Sequence, residues 1–174
     1  MSLAQDLLNE FTQEAAVTRK YLASVPFEQA TFQPHKKSET LGRLAIHLAE
    51  IIAWWESCIL HKELDFIDFK PKDIQSTEAL LSYFDELVAT AKTLLQKVKD
   101  TDLEKGTWSM RYGEMVYFTL SKKQALRIFC MNHLVHHRAQ LGVYLRLLDI
   151  PVPAVYGPSA DDEDVLLMMP FPKI

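Results

Sequence analysis

Four stretches of this chain carry apolar residues at intervals of three and four, the period of one buried helix face. Leu3, Leu7, Phe11, Ala15, Thr18 and Leu22 form the first stripe. It predicts a helix from about Leu3 to Ser24, capped by Ser2 and stopped by Pro26. Leu41, Leu44, Ala45, Leu48, Ile51, Ile52, Trp55 and Ile59 form the second, capped by Thr40 or Ser38 and ending near Leu60. Leu80, Phe84, Leu87, Ala91, Leu94 and Val98 form the third, from Thr77 to about Lys99, with Ser76 or Thr77 as cap. Leu126, Phe129, Cys130, Leu141, Tyr144 and Leu148 form the fourth, from Ser121 to about Asp149, where Pro151 and Pro153 forbid continuation. Four such faces in 174 residues can hide only against one another. The expected fold is therefore all-α: one domain over 1–174, a four-helix bundle with long loops.

The connections have about 15, 16 and 21 residues, long for an up-and-down bundle, and long loops at a bundle end often carry binding groups. Residues 100–120 lack helical periodicity, and Trp108–Met110 with Met115–Leu120 could form a hairpin around Tyr112 and Gly113. After 150, prolines remove any period, and Val165–Met169 are too apolar for free solution, so a packed, extended C-terminal tail is expected. Only 5 glycines fits a helical rather than a turn-rich fold. A net charge of −4 gives no general attraction to phosphate, so nucleic acid is not an expected partner. No run approaches 18 apolar residues and no basic segment precedes an apolar one near Met1, so neither a membrane nor a signal peptide is expected. The expected compartment is the cytoplasm. Cys58 and Cys130 each sit in an apolar helical run, as buried thiols do.

Three of the six histidines, His133, His136 and His137, lie close together. His133 and His137 are one helical turn apart and share a face, so both can offer nitrogens to one metal ion. At 100° per residue they point within about 20° of the centre of the fourth apolar stripe, and His136 lies about 80° off it. Imidazoles facing a core must be hydrogen-bonded or ligated. His47 flanks the apolar face of the second helix on the line Leu44, His47, Ile51, Trp54, Cys58. The two helices could thus bring three imidazoles to one ion, leaving a position open as catalytic sites do. Imidazole nitrogen suits zinc, nickel, copper or iron(II). The alternative is three separate core histidines, each satisfied by a neighbour.

Two blocks carry a likeness to a known family. One runs from Phe32-Gln33-Pro34-His35 through Thr40-Leu41-Gly42-Arg43-Leu44-Ala45-Ile46-His47. The other runs from Asn132-His133-Leu134-Val135-His136-His137-Arg138-Ala139-Gln140-Leu141 through Tyr144-Leu145-Arg146 to Tyr156-Gly157-Pro158-Ser159-Ala160-Asp161. In these the chain resembles the DinB/YfiT-like superfamily of small bacterial metal-binding four-helix proteins, over its whole length. Ala139 replaces the family's usual glycine, a change that favours the helix and leaves the ligands alone. The resemblance implies that His47, His133 and His137 bind one divalent metal, zinc or nickel most often. The superfamily includes thiol-dependent transferases and isomerases.

The expected activity is that of a metal-dependent enzyme, first a thiol S-transferase joining a low-molecular-weight thiol to an electrophile. Metal-assisted hydrolysis is second, and a non-enzymatic metal-binding stress-response protein is the rival class. The expected partners are a small-molecule substrate and a second copy in a homodimer. Glu50, Gln140 and Tyr144 are the candidate catalytic residues: Glu50 is one turn from His47, and the other two extend the line beyond His137. No general base stands on the ligand stripe itself, which favours thiol chemistry. Trp54, Trp55 and Trp108 are expected in the core, with a pocket wall as the alternative. Arg138 is expected as a solvated charge, with an anionic thiol as its alternative partner.

Overall fold

The structure is a computed structural model and describes residues 2–162. The predicted tail segment Val165–Met169 lies outside them. Four long helices occur as the stripes require, each starting at a hydroxyl that caps it. They are α1 (Leu3–Ala23), α2 (Leu41–Leu60), α3 (Thr77–Lys97) and a final helix that begins at α5 (Lys122–Gln124). Ser2, Thr40, Ser76 and Ser121 accept hydrogen bonds from Gln5, Arg43, Ala79 and Gln124 N–H groups, filling donors that a helix start leaves open. α1 and α2 both pack on α3 and on the last helix. The shared interior includes Phe11, Leu22, Leu48, Trp55, Leu80 and Phe84, all essentially inaccessible to solvent. Phe11 and Trp55 meet with ring centroids 4.5 Å apart.

The final helix is not uniform. After α5 it widens into a π-helix over Ala125–Asn132, then narrows into α6 (His133–Leu147). The backbone stays right-handed helical through both junctions. The buried positions of α6 are Leu134, Arg138, Leu141, Tyr144 and Leu145. Its inward face is thus centred one residue beyond the line through His133 and His137, which are half-buried at its flank. The apolar stripe alone puts these histidines at its centre because it leaves out Arg138. Arg138 is instead buried: Nη1 lies 2.7 Å from Glu14 Oε2, and Nη2 donates to the Tyr156 hydroxyl at 2.8 Å. A charge can be buried when it is paired and hydrogen-bonded, and here the pair fastens α6 to α1 and to the chain beyond it.

The expectation of an all-α fold needs correction. Three strands form a mixed sheet in the order β1 (Glu63–Asp65), β2 (Thr107–Tyr112), β3 (Met115–Ser121). β2 and β3 are the predicted hairpin, paired Tyr112 to Met115 with a bulge at Met110–Arg111. Gly113, at the first position of the two-residue turn, has φ 57°. Glycine takes this angle at no steric cost. β1 lies in the expected loop after α2 and pairs parallel with β2. A six-residue helix, α4 (Asp100–Lys105), fills part of the other expected loop, and the Asp100 carboxylate accepts the Leu3 and Ala4 N–H groups at the start of α1, 2.9 Å each. Trp108 of β2 is fully buried, and its Nε1 donates to Ser57 of α2 at 3.2 Å. No helix among the described residues is long and apolar enough to cross a membrane.

Candidate metal centre

α2 supplies His47; α6 supplies His133 as its first residue and His137 one turn later. The three side chains turn their nitrogens toward one point. His47 Nε2 is 3.3 Å from His133 Nε2, and His137 Nε2 is 2.8 Å from it. One donor atom from each of the three lies within 4.8 Å of the others, so the group could hold a metal ion. Tetrahedral ligation at about 2.0–2.1 Å sets nitrogens about 3.3 Å apart, the spacing that His47 and His133 already have.

The environment keeps the rings of His133 and His137 in the form that ligates. Burial, with His137, His47 and His136 close by, pushes the His133 pKa down to about 4. Burial, with His47 and His136 close by, lowers His137 against the opposing pull of Gln140. Both are therefore neutral at pH 7, with a lone pair to give. Below them lies an aromatic floor. Trp54 stacks on Phe129 at 4.5 Å and meets the rings of His47 and His133 edge-on at 5.5 and 5.1 Å. Phe129 in turn contacts Trp108 at 5.2 Å, so the hairpin supports the site from beneath.

Neighbouring side chains orient the histidines. Gln140 Oε1 lies 2.6 Å from His137 Nδ1; accepting a hydrogen bond from Nδ1–H leaves the Nε2 lone pair facing the centre. Glu50, buried in α2, sets one oxygen 3.7 Å from His47 Nδ1, beyond hydrogen-bond length but close enough to favour a proton on that nitrogen. The same oxygen accepts from Arg43 Nη2 at 2.6 Å, and the other accepts the Lys72 N–H at 2.9 Å. Burial works against the Glu50 charge, but His47, Lys72 and Arg43 outweigh it and hold the carboxyl below its ordinary value. Glu50 is thus fixed and acidic, a supporting group and a poor base.

On one side the histidines open onto a cleft of about 430 Å³. Its walls include His47 and His137, Gln140 and Tyr144 of α6, Arg43 of α2, and Lys37, Ser38 and Glu39 from the loop before α2. Tyr144 does not reach the histidine nitrogens; its hydroxyl donates to the Glu39 carbonyl at 3.1 Å and pins that loop to α6. His136 is exposed. Arg138 faces α1 and is spent on Glu14 and Tyr156, far from any role toward a ligand in the cleft. Of the tryptophans, Trp55 and Trp108 are core and Trp54 is both core and site floor. Cys58 and Cys130 are buried free thiols with sulfurs 3.6 Å apart. A larger cavity of about 730 Å³, walled by Ile59, Leu94, Lys97 and Lys122, contains none of the expected site residues.

Sequence reasoning missed Arg43. The signal was present: Arg43, His47 and Glu50 follow one another at four and three residues, one face of α2.

Comparison with known proteins agrees with this architecture. The model of the DinB family matches residues 1–165. An uncharacterized protein, YrdA, of Bacillus subtilis is 23% identical over 158 residues, 89% of each chain. The crystal structure of a DinB-like protein from Bacillus cereus superposes with a TM-score of 0.66 at 24% identity, covering 87% of this chain and 97% of that one. A second DinB-like protein, YjoA of Bacillus subtilis, superposes with a TM-score of 0.65 at 14% identity, covering 88% and 96%. At these identities the likeness is one of fold.

Proposed function

Because this chain belongs to the DinB family, we propose that its three-histidine group is the centre of a divalent-metal-dependent enzyme that joins a small thiol to an electrophile. The observation that carries the reading is the convergence of three imidazole nitrogens beside an open cleft. A closed structural site uses four protein ligands, whereas three with access for a fourth group is the catalytic pattern. The donor set fits zinc or nickel. Such an ion would act as a Lewis acid, lowering the pKa of a thiol that reaches its open position.

The chain's own residues do the rest. Gln140 holds His137, and Glu50 biases His47, so that both present lone pairs to the same point. Trp54 and Phe129 close the inner side and exclude water there. The cleft receives the small molecule from the outer side. Hydrolysis is the weaker reading, because it needs a base to take a proton from water. Glu50, the nearest carboxylate, is occupied by Arg43 and Lys72 and held below the ordinary carboxylate range.

The test is turnover. Protein loaded with zinc or nickel should accelerate the reaction of cysteine with 1-chloro-2,4-dinitrobenzene over metal-free protein and over free metal, and His137→Ala should remove the acceleration. A metal-loaded protein that accelerates neither this reaction nor that of other thiols with alkyl or aryl halides would leave the metal as a tie between α2 and α6.

A further inference from the structure

Arg43 has work for only part of its guanidinium. Nη2 donates to Glu50, whereas Nη1 is enclosed and has no hydrogen-bond partner. An enclosed charged donor without an acceptor is costly, and native structures rarely keep one without a use. Its setting supplies the use. The Arg43 side chain is 26% exposed and lines the cleft shared by His47 and His137. It cannot drift away, because Glu50 is itself buried and held by the Lys72 N–H. Nη2 is thus anchored, and the exposed part of the side chain lines the cleft wall.

The charges around the cleft suit an anion. Lys37 adds a second cation from the preceding loop. Glu39, exposed at the rim, is the one acidic side chain among the described lining residues, and its carbonyl is engaged by Tyr144. Arg43 precedes His47 by four residues, which separates them by about 6 Å along α2. A molecule bound at both points would therefore span only a few bonds between its anionic end and its reacting end.

We propose that the cleft takes a small carboxylate-bearing substrate, with Arg43 binding the carboxylate while the reacting atom of the same molecule sits at the three-histidine centre. This rests on the metal-and-thiol reading above. A guanidinium suits a planar carboxylate, and a hydrogen bond between two charged groups is among the stronger ones a cleft can offer.

The experiment compares 3-mercaptopropionate with 3-mercaptopropionamide, in which a neutral amide replaces the carboxylate, as ligands of protein loaded with cobalt(II). Binding is followed by calorimetry and by the visible spectrum of the metal. The acid should bind the wild type about 10–100-fold more tightly than the amide. In Arg43→Gln that ratio should fall to near one. Where Arg43→Gln loses cobalt, Arg43→Lys, which keeps a donor for Glu50, should lower the acid affinity and spare the amide. Equal binding of acid and amide to the wild type overturns the role of Arg43 and leaves the thiol reading standing; so does an undiminished ratio in the Arg43 variants. Failure of cobalt to bind, or of either thiol to perturb it, overturns both.

Discussion

His136 and His137 are neighbours in the chain with opposite surroundings. His137 converges on His133 at 2.8 Å, and His136 is exposed and touches the group only through its ring, 4.9 Å from that of His137. His137→Ala should abolish tight metal binding. His136→Ala should change affinity less than the about 10–100-fold typical of a residue that orients a ligand. Metal content and affinity of the two variants at one pH above 7 check this, and the reverse ranking would mean that α6 presents a different face to α2. Protonation follows from the same burial. Unfolded histidine titrates near about 6.5, while His133 in the fold is pushed down to about 4. Between these values the unfolded chain binds a proton that the folded chain refuses, so metal-free stability falls as pH drops from about 6.5 to about 4 and is unaffected by this group above 6.5. Urea midpoints of wild type and His133→Gln across that range isolate the effect. The wild type should lose more stability, and parallel curves would refute the assignment.

At the scale of elements, the hairpin shows how a minor sheet serves a helical site. Trp108 of β2 reaches through to Phe129, and Phe129 underlies Trp54 and the histidines. Trp108→Ala should cost about 3–5 kcal/mol of folding stability by urea denaturation, as loss of a buried large aromatic does, and should weaken metal binding in the protein that remains folded. Trp108→Phe should cost less, losing chiefly the hydrogen bond to Ser57. A Trp108→Ala variant within about 1 kcal/mol of wild type would show that the hairpin is peripheral. The hairpin was legible because Gly113 and two flanking β-rich runs mark it locally. β1 was not: it has three residues, only Leu64 is half-buried, and its partner strand lies beyond the whole of α3. α4 hid for a similar reason, since Leu103 is its single buried residue amid Asp100, Asp102, Glu104 and Lys105. The rotation of α6 was obscured by Arg138, whose buried state depends on Glu14, 124 residues away, and by a π-helix that shifts the phase before His133. The histidine set survived these errors because His133 and His137 both lie within α6, where a four-residue interval still means one face.

For the whole molecule, the question is whether the metal builds the fold or only uses it. α2 and α6 meet through an apolar interior that includes Leu48, Ile51, Ile52, Leu134 and Leu141, all nearly inaccessible to solvent. The histidines sit at the edge of that contact and remain partly exposed. α6 is also fastened to α1 by Arg138 and Glu14, independently of the centre. A chain of this size buries enough surface to fold without a metal staple. The metal should therefore add to stability by mass action, about 2.7 kcal/mol when its free concentration is one hundred times its dissociation constant. For a chain of this length that corresponds to a rise of about 5–10 °C in Tm. Metal-free protein should keep a helical circular dichroism spectrum and a cooperative transition. Metal should move that transition upward in the wild type and leave it in place in His137→Ala. A metal-free chain with a random-coil spectrum would place the three histidines among the residues that make the fold, and would weaken the case for a site whose open position is reserved for chemistry.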